Sequence, residues 1–462
     1  MQNRQDLKIY NEIFKILLIL FTAWFLIIGI NILPQHFIGD DLHLIRKYTF
    51  DELLNSWSDD WDPDDLETLA YRPIAILFYN FQTFLFGENY YLHNLFSILL
   101  LFILMNVIII FLIYLKFPKF QILIFLSIFI FSKSFSTLPS WKVLSALIFC
   151  YICFFLVGIF FLKWLRSKEI KYLFYIFLFT FLSIFSREET YHLPFFLIII
   201  FLFDQENKKI NFYLLREPLI LTVIIVTFHY FLRLNFVPEA AQPEINLSSL
   251  LNFLKAGLAS GLPGGIKTYE IHEKILQLVW IFSLLLLTSI VIKKGITKIE
   301  IKKIILIFFT VCLLTSPMSV KVRDFGIFLP TVFTTLFIAF FISKLFPLKI
   351  KNYYLSNRLN LCVLIILLSS GIISGTLRSI EHINIWSYNS IYNLSSDSNW
   401  IFGERFRNAS IPLSRKNFKI NELKKFGITE VISYDQLKEK VENDKEKNLS
   451  NVIITNHFPL QF

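Results

Sequence analysis

ILLLFILMNVIIIFLIYL, residues 98–115, contains no charged side chain. A run of this length approaches the roughly 20 apolar residues that cover a bilayer core. It reads as a membrane-crossing helix. Runs of similar texture recur at 13–33, 93–115, 120–135, 142–164, 172–186, 190–203, 217–234, 275–292, 303–317, 326–344 and 360–377. The expected fold class is therefore a polytopic α-helical membrane protein with about eleven transmembrane helices. Composition agrees, because 55% of the chain is hydrophobic against about 45–50% in soluble proteins.

The formal charge of +10 would raise nucleic acid as a partner in a soluble protein. Here the basic residues gather in short connections: Arg4, Lys8 and Lys15 before the first run, then Lys116 and Lys119, then Lys163, Arg166, Lys168 and Lys171. Further groups stand at Lys208, Lys209 and Arg216, at Lys293 to Lys303, and at Lys344 to Arg358. Every second connection is basic, which the positive-inside rule explains without nucleic acid. The rule places the N-terminus in the cytoplasm of a plasma (inner) membrane protein. Eleven spans then place residues 379–462 outside, where alternating local patterns predict a small C-terminal extracytoplasmic α/β appendage. The rest, 1–378, is one multi-span domain with outer loops at 34–92 and 235–274. No small-residue cleavage site follows the first apolar run, so it reads as a retained helix. Cys150, Cys153, Cys312 and Cys362 all lie in apolar runs, and no structural disulfide is expected outside the membrane.

The first outer loop concentrates acid. Asp40, Asp41, Asp51, Glu52, Asp59, Asp60, Asp62, Asp64, Asp65 and Glu67 face only Arg46 and Lys47. A solvated loop accounts for the 59–67 cluster as readily as loose divalent-cation binding does. An EF-hand is excluded, because Asp65 stands at the turn glycine and Tyr71 at the bidentate Glu. Asp40 and Asp41 directly follow the first helix, at the membrane surface. Adjacent carboxylates there can divide the work between general base and an orienting or metal-binding group. Arg72, in Tyr71-Arg72-Pro73, suits a bidentate phosphate, a snorkelling anchor or a pair with an acid. An aromatic amphipathic stretch follows, ending at Phe86-Gly87, and fits the interface plane. His192 and His229 read as structural histidines, and Gly257–Gly265 as an outer loop that closes over substrate.

Gly39-Asp40-Asp41, Tyr71-Arg72-Pro73, Phe86-Gly87 and Tyr91-Leu92-His93-Asn94-Leu95, in that order, resemble the GT-C glycosyltransferases. The likeness is strongest to the protein O-mannosyltransferase type and its relatives with tetratricopeptide repeats. Ser186-Arg187-Glu188 resembles that group's Ser-Lys-Glu, and Arg323-Asp324-Phe325 with Pro330 resembles its late arginine-and-proline segment. The pattern covers most of 30–340. This chain lacks the repeat array, so the acceptor of those relatives does not carry over. The resemblance implies a GT-C-like fold and an inverting transfer of sugar from a polyprenyl-phosphate donor to an acceptor hydroxyl at the outer membrane face. It implies Asp40 as general base, Asp41 and Glu188 beside it in the catalytic set, and Arg72, Lys321 and Arg323 on the donor phosphate. The acceptor is a glycan, lipid or protein, and a divalent cation is admitted as a cofactor. A polysaccharide polymerase or ligase is the closer alternative, since it shares the carrier and the side of the membrane. A transporter of lipid-linked glycan would instead need charges at mid-membrane and helices broken in repeated halves, which the sequence lacks.

Overall fold

The structure is a computed structural model that describes residues 4–35, 37, 41, 44–59, 70–204, 212–237, 247–265, 271–319, 326–345, 362, 365–380 and 382–383. Its elements are α1 (Arg4–Ile27), α2 (Phe50–Asn55), α3 (Pro73–Phe86), α4 (Tyr90–Tyr114), α5 (Lys119–Phe129), α6 (Lys133–Thr137), α7 (Ser145–Ser167), α8 (Ile170–Ser186), α9 (Leu193–Asp204), α10 (Arg216–Phe236), α11 (Leu247–Gly261), α12 (Ile271–Lys294), α13 (Lys298–Thr315), α14 (Phe328–Leu345) and α15 (Ile365–Ile380).

Local chemistry starts and stops these helices. Thr49 and Thr297 form capping boxes with Glu52 and Glu300 at α2 and α13. The Asn89 side chain accepts from the amides of Tyr91 and Leu92 at the start of α4. Lys168, at φ +58°, caps α7 and turns the chain into α8. In the bundle, α7 is central. Fully 83% of the most apolar window of Lys142–Ser167 is buried, against 17% for Asp6–Ile27 and for Phe212–Phe236. Aromatic contacts hold the helices together, among them Phe160 on Phe179 at 5.6 Å, Phe154 on Phe196 at 4.5 Å and Phe129 edge-on to Phe328 at 5.2 Å. The α15 helix approaches residues 131–132 so closely that a Cβ on Gly375 would lie 2.1 Å from the Phe131 carbonyl oxygen. Only glycine fits there.

Among the described residues, five helices are long and apolar enough to cross a membrane: Asp6–Ile27, Tyr90–Tyr114, Lys142–Ser167, Phe212–Phe236 and Lys274–Ile292. This corrects the expectation of about eleven spans. Several of the other apolar runs fold as helices of 10–17 residues. The α5 helix has 11 residues, which rise only about 16 Å at 1.5 Å each, half of a bilayer core of about 30 Å. Its apolar run continues to 135, but the helix ends at Phe129 and Ser132 caps the separate α6. In α13 the first turns carry Lys298, Glu300, Lys302 and Lys303, which leaves too short an apolar remainder. Hydropathy measures composition and not where a helix breaks. No β-strand occurs among the described residues, and the start of the expected α/β appendage is helical at 379–380 and 382–383. The remainder of that appendage, 384–462, lies outside the described residues. The chain is a multi-pass α-helical membrane protein.

The expected outer loop 235–274 also differs. Gly257 and Gly261 belong to α11, and the turn at Pro263–Gly265 is tied down, its Pro263 carbonyl accepting from the Lys133 amide at 2.7 Å.

Candidate functional site

Two of the expected site residues meet at the end of the bundle from which the acidic loop leaves α1. Arg72 precedes Pro73, whose ring keeps it out of the helical region, and it caps the start of α3 at φ −143°, ψ 56°. Glu188 opens a 3-10 turn directly after α8. The Arg72 Nε–H donates to Glu188 Oε2 at 2.6 Å, with 10% and 15% of the two side chains exposed. Burial alone would raise the Glu188 carboxyl, but the charge and hydrogen bond of Arg72 outweigh it and hold the carboxyl well below the usual carboxylate range. Burial alone would lower Arg72, and the Glu188 and Glu189 charges reverse this and raise it. Next door, Arg187 pairs with Glu189 at 3.1 Å. Arg233, in the last turn of α10, adds a further positive field at Glu188. Arg187, Glu189 and Arg233 were not singled out from the sequence as charged groups of the site.

Asp41 is fully buried. The Val143 amide donates to its Oδ1 at 2.7 Å, and Lys142 Nζ lies 3.7 Å from Oδ2, also with no exposure. The Lys142 ammonium sits 5.4 Å from the centre of the Phe37 ring. Upstream, the Asn94 amide nitrogen lies 2.9, 3.0 and 2.8 Å from the carbonyl oxygens of Ile32, Leu33 and Gln35, its two protons shared among three acceptors. The chain is thus held at 32–35 by α4 and at 41 by the segment before α7. Tyr79 and Gln82 extend the seat, donating to the Val143 carbonyl at 2.8 Å and to Ser145 Oγ at 2.6 Å. A small apolar cluster of Phe37, Leu44, Ile45, Tyr48, Ile76 and Tyr79 fills the space beneath the loop. Asp40, Lys321 and Arg323 lie outside the described residues, as does the acidic stretch 60–67.

Sequence reading missed Lys142, and named Asn94 only within a motif, with no role in the site. Lys142 opens an apolar run, where a membrane-edge anchor explains it equally well. A charge at such a position nevertheless carries a functional default. His192 is buried, its ring edge-on to Phe154 at 5.7 Å, and its Nε2 has no partner among the described residues. Burial pushes its imidazole down to about 3. Among the described residues, no group of three or more His, Cys, Asp or Glu side chains is placed to hold a metal ion.

No family model matches the sequence, and no curated protein matches it. Among solved structures, the chain is similar to the archaeal oligosaccharyltransferase AglB from Archaeoglobus fulgidus, solved with an inhibitory peptide and a dolichol-phosphate. The likeness is distant and partial: 9% identity and a TM-score of 0.40, over 85% of this chain. It spans 60% of that chain.

Proposed function

We propose that this chain is an inverting glycosyltransferase that moves a sugar from a polyprenyl-phosphate donor to an acceptor hydroxyl at the outer face of the membrane. The observation that carries the reading is the buried Arg72–Glu188 pair. It joins two of the sequence motifs, 116 residues apart, at 2.6 Å, beside the loop that bears Asp40. A buried, fully ionised pair is costly to maintain and weak as a stabilising device. It is well suited to presenting a charge to a substrate in a water-poor setting.

In this reading Asp40 takes the proton of the acceptor hydroxyl. The acceptor oxygen attacks the anomeric carbon from the face opposite the phosphate. The bond from that carbon to the phosphate oxygen breaks, and its electron pair leaves on polyprenyl phosphate, so configuration inverts. Asp41, fixed by Val143 and Lys142, sets the direction of the adjoining Asp40. Glu188 aims the Arg72 guanidinium at the leaving phosphate, with Lys321 and Arg323 as further cations. The isoprenoid chain stays in the bilayer while the phosphate reaches the helix ends. The N-terminus is cytoplasmic, because the basic connections lie at the opposite end of the bundle.

The test is release of polyprenyl phosphate from a panel of polyprenyl-phosphate sugars by the purified protein, run beside Asp40→Asn at matched fold. General-base catalysis is worth about 10²–10⁴ in rate. Turnover by the native chain, lost by at least that lower factor in the variant, is the expected result. Turnover that survives the substitution moves the base to another carboxylate. No turnover of any donor, with a lipid or solute crossing the membrane instead, overturns the reading in favour of a transporter. Chelator added to the same assay tests the divalent cation.

A further inference from the structure

His229 stands on α10 with no exposure. Its ring is boxed by aromatic neighbours, Phe185 edge-on at 4.7 Å, Tyr71 at 5.3 Å and Tyr191 at 5.4 Å. Packing alone would be served by phenylalanine. Both ring nitrogens, however, are used. Nε2 lies 3.1 Å from the Tyr71 carbonyl oxygen, and Nδ1 lies 2.6 Å from the Tyr191 hydroxyl. A carbonyl only accepts, so Nε2 carries the proton. In the neutral ring Nδ1 then accepts from the Tyr191 O–H. Tyr191 in turn is hydrogen-bonded to Arg233, one turn beyond His229 on α10.

The two bonds end at informative places. Tyr71 immediately precedes Arg72, and Tyr191 closes the turn that begins at Glu188, its amide donating to the Glu188 carbonyl at 3.1 Å. We infer that His229 is a positioning residue: one imidazole, in a single tautomer, ties both the Arg72 segment and the Glu188 turn to α10 and so sets the geometry of that ion pair. The clasp itself stands on these distances. What it positions for catalysis rests on the glycosyltransferase reading.

The test separates the two. Hydrogen–deuterium exchange on the detergent-solubilised full chain reads residues 71–76 and 188–192 without any substrate. His229→Phe keeps the aromatic box and removes both bonds. It is expected to speed exchange about three- to tenfold in both segments, the factor a single net hydrogen bond represents. Tyr191→Phe removes the Tyr191 bonds to His229 and Arg233 but leaves the His229–Tyr71 bond, and is expected to loosen 188–192 alone. His229→Gln, which can both donate and accept, is expected to restore part of the protection. Unchanged exchange in both segments of His229→Phe overturns the clasp. So does equal loosening of both segments by Tyr191→Phe. If the native chain turns over sugar donors, His229→Phe is further expected to lower kcat at least tenfold with a smaller change in KM. The expected exchange changes, in a protein with no turnover of any donor, would reject the enzymatic reading and leave the clasp standing.

Discussion

The two ends of the helix bundle use charge in opposite ways. At the basic end, Lys119 pairs with Glu12 and Lys171 with Glu169, each with about two-fifths or more of both side chains exposed, and Arg216 lies 3.6 Å from Glu217. Lys163 and Arg166 lie over the Tyr114 ring at 5.7 and 5.1 Å. At the loop end, Lys142–Asp41, Arg72–Glu188 and Arg187–Glu189 are all largely sealed from solvent. Exposed pairs contribute little to stability and serve topology. Buried pairs cost desolvation on both partners, so their retention points to a task other than holding the fold.

The sharpest way to break this contrast is to remove one partner at each end. Lys142→Met leaves Asp41 buried without its ammonium and is expected to cost about 3–5 kcal/mol, read as a loss of unfolding free energy in detergent. Asp41→Asn combined with Lys142→Met should recover much of it. A single substitution no more costly than one at the basic end would remove the distinction. A smaller effect comes from acid. His192 is held down to about 3 by burial, whereas an unfolded imidazole titrates near about 6.5. The unfolded chain therefore binds a proton that the folded chain refuses, so stability falls as pH drops from about 6.5 towards about 3. A His192→Phe variant should show a flatter melting temperature against pH across that interval. Glu188 adds to the same trend at the acid end. Its carboxyl is held below the usual carboxylate range, so it contributes stability above about 4.3 that is lost progressively as pH falls below that. The smallest effect is at the exposed end, where Glu12→Gln is expected to leave the unfolding midpoint where it was.

Much of the helical character was legible in the sequence, because uncharged runs such as 98–115 admit little else. The number of spans was not. The break at Phe129–Ser132 and the charged opening of α13 at Lys298–Lys303 are invisible to a hydropathy window. In the site, Arg72 and Glu188 stood out as charges at apolar edges. Their meeting depends on two connections folding against each other across α3 and α8. Lys142, Asn94 and Arg233 escaped notice as site residues for a related reason. Each acts on a segment tens of residues away, so no local spacing announces it. His229 looked structural because a buried histidine inside a helix usually is. Only the positions of its two partners give it more to do.

The short α5 has a consequence for biogenesis. With 11 residues it is a poor candidate for insertion on its own, and the hydroxyl-rich segment behind it, with Ser134, Ser136 and Thr137 buried, would be unwelcome in lipid. Several lateral partners of α5 and α6 lie on α14: Gln121 donates to Ser343, Ser134 meets Thr331 and Phe129 meets Phe328. These arrive roughly two hundred residues later, a delay of about 10–40 s at ordinary translation rates of about 5–20 residues per second. For that interval the flank of the nascent chain that α14 later covers stays unfinished.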